Sequence, residues 1–512
     1  SNTGSGADSA LEVTTAIDAT DTLVGIERLA FADATIVVVG RAGSTYTSLA
    51  AALAATSATD KLYGEIAFHS ANTGSAADIG AILDRVIAGS TISADLAGMT
   101  AAQVAAINTH FARFASFSNT PIGVVRNGAD AAYFISIVAA IDFANDGDTV
   151  RVVPGIYSES LTIAKNISVE GPNAAIAGNG VRGVEAILDF SASPSVVGGQ
   201  HVLVTKGALK GFRIQDSLLP AESSATPRIA VRIDTATSAT VMNNVFFRDS
   251  GSDGAAQDAQ STLDIRAIEI NAIAGATATV RANTIDGATT GILQNRSWRS
   301  AIRAQVGATI LDNTIAHVRN AIELRGDLSL ITVDANRIGC TDGGVALSLD
   351  TSSASFNLGA NAFNGVGMLF DLVSVPTGFT LDARASSVDG TPIAALDLAG
   401  QFAIAPRSNQ HITNGARNGR VVTKLGEIHV PSSGAAVVGG VSRAMSLAST
   451  GDIVRLDAGS YSDNITITDR VTLIGAGSAI DATVVTAAVA GTSVVTVTGS
   501  GSVDGRLIVK DM

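Results

Sequence analysis

The segment Gln294–Arg303 (QNRSWRSAIR) gathers the chain's single tryptophan, Trp298, with three arginines, Arg296, Arg299 and Arg303, in an otherwise acidic protein. An indole face stacks on a sugar ring and a guanidinium grips a carboxylate in two-pronged fashion, so Arg296, Trp298 and Arg299 are the candidate glycan contacts. The same pattern also suits a loop whose Trp298 packs on the wall of the fold while the arginines pair with local acids. Asp253 and Asp258, and separately Asp342 before Gly343-Gly344, lie in turn-like runs. They are candidate calcium ligands, although their spacing equally suits plain turns. The histidines, among them His201, His317, His411 and His429, are scattered singly. The lone Cys340 excludes an intrachain disulfide and reads as a small buried residue after Ile338-Gly339.

The elements that must carry these residues have an unusual composition. The 512 residues include 52 Gly, only 4% aromatics and 15% charged residues, with a net charge of −13. Rings are too few to fill conventional enzyme cores, whereas small and β-branched residues stack well in repeated strands. The acidic balance argues against a nucleic-acid-binding surface, and no apolar run is long enough to span a bilayer. Near-absence of cysteine is common among exported bacterial proteins built without disulfides. No charged-plus-apolar leader opens the chain, which is expected to be part of something longer.

Four zones follow: 1–40, 41–130 with helical character, 131–400 with a long repeat, and 401–512. In the second zone Ile79, Ile82, Leu83, Val86 and Ile87 make one apolar stripe, and Thr100 with Gln103 forms a capping box before Val104 and Ile107. These segments are expected to form a small helical insertion or spacer packed on β structure.

An internal duplication organises the rest. AIDFANDGDTVRVVPGIYSESLTIAKNISVEGP returns as AMSLASTGDIVRLDAGSYSDNITITDRVTLIGAG, with Gly147-Asp148 matched by Gly451-Asp452, Tyr157 by Tyr461 and Gly171 by Gly475. Each copy reads helix, turn, strand, turn, strand, strand. Ile137, Ala140, Ile141 and Ala144 form a helical face, repeated by Val441, Ala444, Met445 and Ala448. This cassette resembles the N-terminal cap and first coils of the pectin-lyase-like, right-handed parallel β-helix superfamily. The resemblance implies an all-β solenoid in which an amphipathic helix covers the open end, with a second β-helix start near the C-terminus. A second period agrees: apolar-x-x-Asn-x-Ile/Phe recurs at Val241–Asn244–Phe246, Val280–Asn283–Ile285, Ile310–Asn313–Ile315, Val333–Asn336–Ile338 and Leu358–Asn361–Phe363. The intervals suit solenoid coils, some carrying insertions, and stacked Asn amides can hydrogen-bond along the axis.

At the N-terminus, Gly4–Ser9 with Asp8 resembles the calcium nonapeptide of repeats-in-toxin proteins, and Asp21–Asp33 resembles the segment that follows such repeats. That implies calcium at Asp8, completed by neighbouring turns, and export by type I secretion. Lyases of the β-helix superfamily abstract a proton beside a carboxylate, with Arg or Lys as base and carboxylate-bound calcium. Asp216, Arg232, Asp234, Arg248, Asp249, Asp264 and Arg266 are the residues that could meet on neighbouring coils, but alternating polar positions on an outward strand face produce the same set. The Asn-x-Asp, Asp-Asp and Gly-His-Gly motifs of its hydrolases are absent. The expectation is a structural segment of a large secreted bacterial cell-surface protein, surface-layer-like or adhesin-like. Its partners would be copies of itself or cell-surface glycan, and calcium its possible cofactor. A polysaccharide lyase or epimerase, or a non-catalytic glycan-binding module, are the alternatives.

Overall fold

The computed structural model describes residues 11–13, 21–23, 28–30, 35–39, 46–107, 122–190, 200–216, 227–248, 264–287, 298–339, 344–408, 419–432, 440–467, 471–477, 483–497 and 508–510, apart from a few short stretches within them. The chain divides into two compact units, one of residues 1–176, 181–189 and 207–213, the other of 177–180, 190–206 and 214–512.

In the first unit, Thr35–Val39, Lys61–Phe68 and Thr91–Asp95 run parallel, with helices Leu49–Ala55 and Ala76–Leu83 as crossovers. Ile79, Ile82, Leu83 and Val86 are buried against these strands, and Thr100 and Gln103 exchange the reciprocal bonds of a capping box. The two strands after Val39 are absent from the sequence reading. Lys61–Phe68 (KLYGEIAF) mixes Lys, Gly and Glu with apolar residues and lacks the strict alternation that marks a half-buried strand. The sheet continues through the hairpin of Ile122–Arg126 and Ala129–Phe134, turned by Asn127-Gly128 with both residues at positive φ, and then through Thr149–Arg151, Ser168–Glu170 and Gly207–Lys210.

In the second unit three parallel sheets stack coil on coil, the arrangement of a parallel β-helix. The first sheet runs through Gln200–Val204, Arg228–Ile233, Ile265–Ile270, Ser300–Ala304, Asn320–Gly326, Val345–Thr351 and Met368–Ser374. The second holds Ser238–Met242, Thr277–Arg281, Ala308–Leu311 and Thr332–Asp334. The third holds Val245–Arg248, Thr284–Gly287, Thr314–Ala316, Arg337–Gly339, Ala362–Phe363 and Ser387–Val388. Like stacks on like: Val241, Val280, Ile310 and Val333 form one buried file, and Phe246, Ile285, Ile315, Ile338 and Phe363 another. Each such side chain contributes roughly 1.5–3 kcal/mol of apolar burial.

The turn from second to third sheet carries the asparagines. Asn283 Oδ1 accepts from the backbone N–H and Nδ2 of Asn244 at 3.0 and 3.1 Å. Asn313 does the same for Asn283, Asn336 for Asn313 and Asn361 for Asn336, all at 2.9–3.1 Å. The Nδ2 groups of Asn283, Asn313, Asn336 and Asn361 also reach a carbonyl of a preceding coil, as in Asn313 to Val280 at 2.9 Å. Ser386 ends the ladder, accepting from the Asn361 N–H at 3.3 Å. To aim these amides inward the preceding residue turns left-handed, with φ of 59° at Asn243, 53° at Ala282, 56° at Asp312 and 55° at Ala335. The third sheet then closes at an Asp389-Gly390 hairpin that lays Thr391-Pro392 antiparallel on its edge.

Replacing Asn313 with Ala strands buried donors and acceptors on both sides. It is expected to lower stability by about 2–4 kcal/mol in urea unfolding followed by Trp298 fluorescence, against a change within about 0.5 kcal/mol for outward-facing Thr309→Ala. Ala335→Gly reverses the usual penalty: relief of the left-handed strain offsets the added chain entropy, so stability is unchanged or rises by up to about 1 kcal/mol.

Candidate functional site

The passage from third sheet to first is where the coils differ in length. It takes residues 216–227, 249–264 and 288–299 in three successive coils, then only 317–319, 340–344 and 364–367. Asp253 and Asp258 belong to the second of these passages, Arg296, Trp298 and Arg299 to the third, and Asp342 to a later one. The described residues that flank these passages thus lie at one corner of the second unit. Asp253, Asp258, Arg296 and Asp342 lie outside the described residues, as do Asp8, Cys340 and His411. Among the described residues no three His, Cys, Asp or Glu side chains are placed to hold a metal ion.

Trp298 corrects one expectation. Its side chain is wholly buried and its ring lies 5.7 Å from the Arg248 guanidinium carbon, so the indole packs inside the solenoid wall and is not offered to a sugar. There the indole face meets the buried Arg248 guanidinium in a cation–π contact. Arg299 stays half-buried beside Asp264, whose carboxyl it helps to hold ionised.

Inside the same corner sits a buried ionic cluster. Arg228 donates from two nitrogens to the two Asp216 oxygens at 2.7 and 2.8 Å and to the Phe190 carbonyl at 2.8 Å. Arg248 donates to the Asp216 carbonyl at 2.9 Å and lies 3.6 Å from its carboxylate. His201 stacks flat on Phe190 at 4.3 Å, and its two ring nitrogens have no hydrogen-bond partner among the described residues. Burial, aided by the Arg228 charge and opposed by Asp216, pushes the His201 pKa down to about 4. Of the arginines and aspartates singled out for lyase chemistry, Asp216 and Arg248 are therefore committed to this interior cluster and closed to a substrate.

Asp249 lies outside the described residues, and Arg232, Asp234, Asp264 and Arg266 lie on or beside the outer face of the first sheet. Arg232, Glu269, Arg303 and Glu323 occupy one register position in four adjacent strands, an alternating file of charge. Arg266 pairs with Asp264 and, at 2.7 Å, with Glu269. Glu323 accepts from Ser300 at 2.7 Å and Asn320 at 2.6 Å. Arg303 stands between Asp264 at 3.7 Å and Glu323 at 3.8 Å, and its Nε has no hydrogen-bond partner among the described residues. Burial and the charges of Arg266 and Arg325 lower the Arg303 pKa against the pull of Glu323 and Asp264. Burial alone would raise the Asp264 carboxyl, but the Arg266 hydrogen bond and the charges of Arg266, Arg299 and Arg303 outweigh it and hold it low. Arg228, Glu269 and Glu323 escaped the sequence reading, because only coil-to-coil register brings them beside the residues that were chosen. Arg232 and Asp234 do meet, at 3.5 Å, as an exposed pair.

Asp216→Ala leaves two buried guanidinium groups without their carboxylate, and a loss of about 3–5 kcal/mol is expected in urea titration. Between pH 6.5 and 4 the unfolded His201 binds a proton that the folded one refuses, so stability falls on acidification by up to about 1.4 kcal/mol per pH unit. His201→Phe keeps the stack on Phe190 and is expected to shallow that slope in melts taken across this range. Compared with known proteins, the chain matches no family model, no curated protein and no solved structure.

Proposed function

We propose that this chain is a structural segment of a large secreted bacterial cell-surface protein, adhesin-like or surface-layer-like. In this reading a stiff solenoid presents loops from one corner. The observation that carries the reading is the serial joining of coil stacks. Arg420–Val422 adds in parallel to Thr380–Asp382 at the end of the first stack, and the second cassette follows with its own parallel strands Glu427–Val430, Ile453–Leu456 and Thr472–Ile474. A design that restarts itself suits an extended surface element more than a single active site. The likeness of both cassettes to pectin-lyase-like caps, and of Gly4–Ser9 to repeats-in-toxin calcium turns, supports export by type I secretion and calcium-dependent association through Asp-rich turns. Copies of the same chain or cell-surface glycan are the partners this implies. Light scattering and negative-stain imaging with calcium and with chelator test it. Calcium-dependent sheets, filaments or regular oligomers are expected, and a monomer indifferent to calcium would count against the reading.

A polysaccharide lyase remains the second reading, favoured by one observation. Arg303 stands on an outward sheet face with only loose ionic contacts, 3.7 Å from Asp264 and 3.8 Å from Glu323, which leaves its guanidinium able to engage a substrate carboxylate. On this reading, acidic polysaccharides incubated with the protein yield unsaturated products absorbing in the ultraviolet, and Arg303→Ala abolishes them.

A further inference from the structure

Where the second cassette meets the end of the first coil stack, the chain builds a polar knot around a buried histidine. His429 lies on strand Glu427–Val430, opposite Arg455 of the neighbouring strand. Its side chain is 3% exposed, and helix Leu398–Ile404 sets the Phe402 ring perpendicular to its imidazole, with centroids 5.6 Å apart. Its Nε2 is 3.1 Å from Glu427 Oε2. The same carboxylate accepts from Arg455 Nε at 2.8 Å and pairs with Lys424 at 3.7 Å. Arg420, on the last strand of the first stack, donates to Asp452 of the second cassette at 2.7 Å and to the Glu427 carbonyl at 3.4 Å. Helix Gly440–Leu447, which also packs on this strand, brings Arg443. Helix Leu398–Ile404 brings no ionisable side chain.

We propose that this junction is an acid-released joint, in which protonation of His429 frees the second cassette from the coil stack while the stack itself stays folded. The balance of charge is the reason. Glu427 already serves Arg455 and Lys424, and a third cation facing it would be attracted by one carboxylate while repelled by two cations. The neutral ring is held with a pKa of about 4, because burial outweighs the pull of Glu427. An opened joint returns His429 to solvent and to its ordinary value of 6.5. Opening is therefore favoured progressively as pH falls from 6.5 towards 4, the window in which the open form binds the extra proton.

Amide hydrogen exchange of the full chain, read by mass spectrometry at pH 7 and pH 4.5 and scaled to intrinsic rates, tests the joint. Protection of residues 427–474 relative to the coils at 300–350 is expected to fall by about tenfold or more at the lower pH. His429→Phe, which keeps the packing on Phe402, is expected to remove that differential loss, and His429→Gln serves the same purpose should the phenylalanine variant misfold. Equal protection at both pH values overturns the proposal. So does a loss shared evenly by cassette and coils, or one that persists in the variants.

Discussion

A side-chain amide sealed away from water must make its hydrogen bonds or cost the fold several kilocalories per mole, and the file Asn244, Asn283, Asn313, Asn336 and Asn361 meets that demand only when every coil places its asparagine directly over the last. The rest of the second unit follows from this. In four coils the turn between second and third sheets holds two residues, the first of them left-handed, even an alanine at 282 and 335. Ladder partners nevertheless stand 39, 30, 23 and 25 residues apart. Most of the difference in coil length falls in another passage, from third sheet to first.

The two cassettes show how a repeated pattern encodes one set of contacts. Glu159 accepts the backbone N–H groups of Ile137 and Val138 at the start of the first cap helix, and Asp463, at the matching position, accepts that of Ser442 in the second. Both place a carboxylate on the positive end of a short helix. Asp148 and Asp452 take the N–H of Asn145 and Ser449 past the helix ends, and each also binds an upstream arginine, Arg126 or Arg420. Tyr157 and Tyr461 donate to carbonyls four residues back, at Val153 and Asp457. One feature does not repeat. Gly123–Arg126 pairs antiparallel with its cassette, whereas the matching Glu427–Val430 pairs parallel. The same cassette thus follows a hairpin in one place and continues a helical progression in the other.

Charge is distributed by the same economy of positions. Buried Asp216, Arg228 and Arg248 satisfy one another with backbone carbonyls and the Trp298 face, a geometry that tolerates burial because no member lacks a partner. On the outer face, ions alternate in register and neutralise their neighbours, leaving Arg303 the most loosely held among the described residues of that file.

Sequence by itself determined the repeated and local features: the cap helices with their buried faces, the capping box at Thr100, the duplicated cassette and the inward asparagines with their flanking apolar residues. These depend on spacing within a coil, which the chain writes directly. It could not determine that Trp298 turns inward, that Asp216 and Arg248 are interior ions, or that Glu269, Arg303 and Glu323 share a file. Residues at a solenoid corner have no alternation to declare their direction, and partners on adjacent strands are separated by passages of unequal length. Only coil closure, set by the ladder, decides which of them meet.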